Sequence, residues 1–189
     1  MPLPAPAPRK LVHTRTITCC GYERADGLWD IEGHLTDVKT GRHLSRHGGR
    51  ERGAGQPIHD MWIRLTVDLD MFIHDVDAVT DQGPYPVCGD ITPHFKRLKG
   101  ITVGAGWRKQ VQARLGGIEG CTHLVELLGP VATTAFQATV RARDERSAGK
   151  PHAKRPYQIN SCHAYREDGD AVRERWPQFY TGEPKSAPQ

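Results

Sequence analysis

Apolar and polar positions alternate through the first half of the chain. Residues 28–37, Leu-Trp-Asp-Ile-Glu-Gly-His-Leu-Thr-Asp, put Trp29, Ile31 and Leu35 on one side and Asp30, Glu32, His34 and Thr36 on the other. That two-residue period marks a half-buried strand. Residues 58–67 repeat it, with Met61, Ile63, Leu65 and Val67 facing one way and Trp62, Arg64 and Thr66 the other. Asp68-Leu69-Asp70 reads as a hairpin connection into a partner strand over 71–79, and Thr14 to Cys20 reads as a strand ahead of both. At least three antiparallel strands, joined locally, are expected.

The pattern then changes. Gly83-Pro84-Tyr85-Pro86 is a rigid turn. Thr92 as cap and Pro93 at the first position predict a short helix through Phe95 and Leu98 to Gly100. A second helix is expected from Trp107 to Leu115, with Val111 and Leu115 on one side. A third starts near Cys121, where positions 121, 124, 125, 128, 132, 135 and 136 form one apolar face at helical spacing. Gly129-Pro130 is expected to kink or interrupt it. Tyr157 to Ala164 reads as extended, and Asp168 to Trp176 as a short helix stopped by Pro177. Strands first and helices second indicate an α+β fold, an antiparallel sheet of three or more strands with helices packed on one face. The expected layout is a Pro-rich arm over 1–10, one domain over 11–180 and a frayed tail over 181–189.

Composition adds limits. Charged residues make up 25% of the 189 and hydrophobic ones 37%, and no apolar run reaches the length of a membrane span. The start, Met-Pro-Leu-Pro-Ala-Pro-Ala-Pro, lacks the continuous apolar core of a signal peptide, so a cytoplasmic location is expected. The net charge of +4 equals the excess within 141–155 alone, where six bases face two acids. With no interleaved aromatics or known motif, that segment reads as a solvated loop, and a nucleic-acid partner is not expected.

Candidate chemistry centres on the five cysteines, an odd number that in a reducing compartment leaves metal binding, nucleophilic catalysis or buried filler. Cys19 and Cys20 sit within a strand, one side chain to each face, and read as filler. Gly120-Cys121-Thr122-His123 stands where a helix begins, and backbone N–H groups there favour a thiolate. Cys88, in Val87-Cys88-Gly89-Asp90, and the Cys162-His163 pair come from two other loops. Convergence of the three loops would make Cys88, Asp90, Cys121, Cys162 and His163 a ligand set for zinc or an iron–sulfur cluster. No C-x-x-C pair supports it locally. A metal-free alternative makes Cys121 a nucleophile with His123 or His163 as base and Glu126 or Asp90 orienting it.

Helical counting puts Cys121 and His123 on different faces, and His123 and Glu126 on one. A third reading uses no cysteine: His59 and His74, with Asp60 and Asp75 nearby, serve an acid–base lyase or isomerase whose pocket Trp62, Tyr85 and Trp107 line. Strand neighbours point to opposite faces, so neither His59 with Asp60 nor His74 with Asp75 is a ready couple. The last alternative is a non-catalytic interaction protein with core cysteines. His43 and His47 lie in a Gly/Arg-rich loop and read as solvated. No Walker loop, dinucleotide fingerprint or G-x-S-x-G elbow is present.

Four runs carry a resemblance: Asp26-Gly27-Leu28-Trp29-Asp30-Ile31-Glu32-Gly33, Pro57-Ile58-His59-Asp60-Met61-Trp62, Gly120-Cys121-Thr122-His123-Leu124 and Ser161-Cys162-His163. Together they resemble a bacterial family known as domain of unknown function 2889, over residues 12–180, and that label implies no activity. The layout is also similar to iron–sulfur cluster scaffold and sulfur-acceptor proteins. Cys88-Gly89-Asp90 matches their Cys-Gly-Asp, although it follows the hairpin, where those proteins have their middle Cys. Cys121 with His123 and Cys162 with His163 reverse their His-Cys order. What this likeness implies is convergence of Cys88, Asp90, Cys121, Cys162 and His163, and a small molecule or sulfur-transfer partner.

Overall fold

The computed structural model describes residues 3–44, 48–148 and 155–183. The chain separates into two compact units, Met1–Arg146 and Ser147–Gln189, where the sequence reading has one domain over 11–180. Residues 3–12 are exposed and carry no helix or strand.

The first unit is built on an antiparallel meander: β1 (His13–Glu23), β2 (Trp29–Lys39), β3 (Pro57–Val67) and β4 (Ile73–Gln82), in that order across the sheet. The β3–β4 turn forms because the Asp68 carboxylate accepts the backbone N–H groups of Asp70 (2.9 Å) and Phe72 (3.0 Å). Met71 takes a left-handed φ of 64° there and still buries its side chain, which delays β4 to Ile73.

Helices cover one face of this sheet, as the α+β pattern requires. A 3-10 helix over Thr92–Leu98 buries Phe95 and Leu98. Helix α1 (Trp107–Leu115) buries Trp107, Val111 and Leu115. Helix α2 (Thr122–Ser147) buries Leu124, Leu127, Leu128, Val131, Ala132, Ala135 and Thr139. Two glycines let α2 approach the strands. A Cβ on Gly33 would lie 2.5 Å from Val131 Cγ2, and one on Gly21 would lie 2.4 Å from Ala138 Cβ. Val131 therefore sits over the middle of β2 and Ala138 over the far part of β1. The helix ends at the β3–β4 turn, where Arg146 pairs with Asp70 at 2.6 Å.

At Gly129-Pro130, where a kink or an interruption is expected, the helix is not interrupted: Pro130 lies inside a helix of 26 residues. The segment 141–147, expected as basic loop, forms the last turns of α2, with Arg141 paired to Glu145 at 2.8 Å. Lys150 and Lys154, like His47 of the Gly/Arg-rich loop, lie outside the described residues.

In the second unit, Tyr157 to Ala164 is turned rather than extended. The Asn160 N–H donates to the Tyr165 carbonyl (2.8 Å), and the Asn160 side chain accepts the Glu167 N–H (3.0 Å), closing the loop on itself. Ile159, Val172 and Trp176 form its small core around α3 (Asp170–Arg175). Among the described residues no helix is long and apolar enough to cross a membrane.

Candidate functional site

The inner face of the sheet changes character at one end. On β2 the buried series Trp29, Ile31, Leu35 continues to Asp37, whose side chain is 2% exposed. On β3 the series Val67, Leu65, Ile63, Met61 continues to His59. The strand register sets Arg15 of β1 opposite Asp37 and Asp37 opposite His59. His13 stands two residues before Arg15 and shares its face. The first turn of α2 brings in His123, and Glu126 follows on the same side of that helix.

Asp37 is the hub. Arg15 Nε donates to its Oδ1 and Arg15 Nη2 to its Oδ2, both at 2.8 Å. His13 Nε2 meets Oδ1 at 3.0 Å and His59 Nδ1 meets Oδ2 at 2.9 Å. His123 Nε2 lies 3.9 Å from Oδ2, too far for a hydrogen bond. The His59 and His123 rings pack with centroids 3.7 Å apart and a 32° tilt. Arg15 Nη1 also reaches Glu126 at 2.8 Å, so one guanidinium joins β2 to α2.

These contacts set the protonation states. Burial pushes the Asp37 carboxyl up, but Arg15, through hydrogen bonds and charge, outweighs it with help from His13 and His59, and the group settles at about 2. Arg15 is in turn raised, chiefly by its hydrogen bonds to Asp37. An ionised carboxylate only accepts hydrogen bonds, so His13 Nε2 and His59 Nδ1 must carry the protons they share with it. His59 is lowered by burial first and then by the neighbouring His123. His123 is lowered by burial and then by Arg15. At neutral pH both imidazoles are therefore uncharged, and the tautomer that Asp37 enforces leaves a lone pair on His59 Nε2.

A pH dependence follows. Asp37, His59 and His123 each have a folded pKa below the unfolded one, so through them the unfolded chain binds more protons and stability rises with pH. The imidazole share is complete above about 6.5 and is lost as pH falls through the depressed folded values. The Asp37 share is complete above 3.8 and is lost on the way down to about 2. Urea unfolding across this range is expected to show a decline in two stages. A profile flat from about pH 7.5 to about pH 5 rules out the depressed imidazoles.

Among the described residues, Asp37, His59 and His123 are the one group of three or more Cys, His, Asp or Glu whose ligand atoms all lie within 4.8 Å of one another. Of the residues singled out from the sequence, His59 and His123 are thus brought together. Within the first unit Cys88, Asp90 and Cys121 form no such group of three, and Cys162 and His163 belong to the second unit. Cys88 is half-buried in a 3-10 helix over Pro86–Gly89, with Asp90 exposed beyond it. Cys121 is half-buried against the core, its carbonyl accepting the Val125 N–H that opens α2. Cys162 and His163 are exposed in the second unit. Cys19 packs against the core and Cys20 is exposed on the other face of β1.

The other histidines find different partners. His34 pairs with Asp60 at 2.7 Å and stacks on Trp62 at 3.7 Å. His74 pairs with Asp68 at 2.8 Å. His13, Arg15 and Asp37 were missed from the sequence, although the two-residue period that places Trp29, Ile31 and Leu35 inside also places Asp37 there.

No curated protein and no solved structure matches the chain. One family profile matches residues 13–137, a span that starts at His13, holds every residue of the Asp37 cluster and ends before Cys162. The chain belongs to that family, described as a protein of unknown function, DUF2889.

Proposed function

We propose that the protein binds a first-row divalent metal ion, zinc foremost, through His59, His123 and Asp37. The observation that carries this reading is the approach of two neutral imidazoles and one ionised carboxylate to within 4.8 Å at the polar end of an otherwise apolar face. Two nitrogens and one oxygen suit zinc, which takes such donors in sites that keep one position open for water or substrate. They do not suit an iron–sulfur cluster, which is held by thiolates. His59 Nδ1, which now shares its proton with Asp37 Oδ2 at 2.9 Å, would shed that proton and take the ion between the two atoms. Bound there, such an ion supplies a Lewis acid for a small molecule.

Elemental analysis of untagged protein, purified without chelator and then loaded with zinc, tests this. About one equivalent is expected, falling at least 10-fold in affinity for His123→Ala. Less than about a tenth of an equivalent in the loaded wild-type protein overturns the reading.

One observation favours a second reading, acid–base catalysis at His59 without a metal. All four donor contacts on Asp37 come from protein side chains, which leaves His59 Nε2 as an oriented base. A metal-free protein whose His59 remains the Nδ1–H tautomer by nitrogen NMR supports this alternative over the first.

A further inference from the structure

We infer that Arg15 is a resident counter-ion that competes with the metal for Asp37 and retracts onto Glu126 when the metal binds. This rests on the metal-binding reading above and adds a regulation of that site.

An ionised carboxylate offers about four lone-pair positions. On Asp37 all four are taken: Oδ1 by Arg15 Nε and His13 Nε2, Oδ2 by Arg15 Nη2 and His59 Nδ1. A metal ion needs one of those positions at a distance of about 2.0–2.2 Å. The four donors are not equally able to yield one. His59 is itself a proposed ligand, and an ion taking the place of its Nδ1 proton arrives on Oδ2, the oxygen that Arg15 Nη2 also holds. His13 holds Oδ1 by one bond and is 40% exposed, so its departure leaves both Arg15 bonds in place. Arg15 holds both oxygens and cannot give up its charge, so it blocks the ion sterically and repels it electrostatically.

Arg15 also has somewhere to go. Its Nη1 is already 2.8 Å from Glu126 Oε2, and its side chain is 35% exposed, next to solvent rather than locked in the core. Glu126 is 53% exposed and lies three residues after His123 on the same helix. The helix that delivers one metal ligand thus also delivers the acceptor for the displaced cation. Releasing Asp37 while keeping Glu126 takes a rotation of the guanidinium and no change in the fold. Zinc then replaces the single positive charge of the guanidinium beside Asp37 with the two of the ion. The same exchange explains how a carboxylate this buried is stable without metal: Arg15 neutralises it.

Binding of cobalt(II) and of zinc, each as the free ion in competition with a chromophoric chelator, tests this in wild-type protein, Arg15→Gln and Glu126→Gln. Arg15→Gln is expected to bind at least about 10-fold more tightly than wild type, and Glu126→Gln about 3-fold or more weakly, because Arg15 then has Asp37 as its only anion partner. Equal or weaker binding by a folded Arg15→Gln overturns the competition, and unchanged binding by Glu126→Gln overturns the retraction. Absence of binding in all three proteins overturns the metal reading itself, whereas binding by Arg15→Gln alone establishes both. Should Arg15→Gln fail to fold, the Arg15 Nε–H resonance of the wild type reports directly. Zinc is expected to shift it and speed its exchange with water, and a resonance unmoved at saturating zinc overturns the inference.

Discussion

Asp37→Ala is expected to destabilise the protein by about 3 kcal/mol, read from urea denaturation as a lower midpoint at unchanged slope. The loss comes less from missing attractions than from what is left behind. Arg15 keeps Glu126 but loses two hydrogen bonds, and His13 and His59 each lose their acceptor. Removing one partner of a buried ion pair costs about 3–5 kcal/mol. The low end applies because Arg15 is 35% exposed and water reaches it. The variant must also lose Asp37's share of the lower stage of the acid decline, a stage to which other lowered carboxylates such as Asp68 and Asp75 also contribute. A cost below about 1 kcal/mol shows that the cluster is a surface pairing without structural weight.

Gly33→Ala is the second large effect, and it acts through packing alone. The added Cβ would stand 2.5 Å from Val131 Cγ2 and 3.0 Å from Leu127 Cγ. Val131 is fully buried and has one favoured rotamer on a helix, so it cannot turn aside. Either α2 lifts or β2 bows, at a cost of about 2–3 kcal/mol. The double variant Gly33→Ala, Val131→Ala separates this from a general intolerance of β2. Removing the Val131 methyls opens the space the new Cβ needs, so the pair is expected to be more stable than the sum of the single effects by at least about 1 kcal/mol. Strict additivity contradicts a steric contact between the two positions.

The sheet was legible because its alternation is regular. The period that set Ile31 and Leu35 against Glu32 and His34 survives in the structure residue by residue. The helices were legible from spacing, and α1 occupies the segment expected of it. The site was legible only in part, for a physical reason. Sequence motifs group residues that are near in the chain, whereas this cluster draws one or two residues from each of three strands and a helix. His59 and His123 drew notice because histidine is chemically conspicuous. Asp37 did not, because a carboxylate at the end of a strand reads as the beginning of solvent. Only the register, which sets Asp37 between Arg15 and His59, shows that the inside of the sheet extends to it. The cysteines show the other side of this: Cys121 is conspicuous at a helix start, and the structure adds that it is half-buried against the core.

Pro130 has a consequence for how the turns bearing His123 and Glu126 can move. A proline inside a helix has no N–H to give, so the carbonyl four residues earlier, that of Glu126, lacks its usual donor. The Thr133 hydroxyl donates to the Pro130 carbonyl at 2.8 Å, a local bond that favours bending at the same place. The ladder is therefore weakest just where the turns bearing His123 and Glu126 join the rest of the rod. Those turns form a short end-piece, held down by Leu124, Leu127 and Leu128 but only loosely continued into the helix beyond. A bend at this joint would move His123 and Glu126 while leaving in place the long stretch packed over Gly21 and anchored by Arg146.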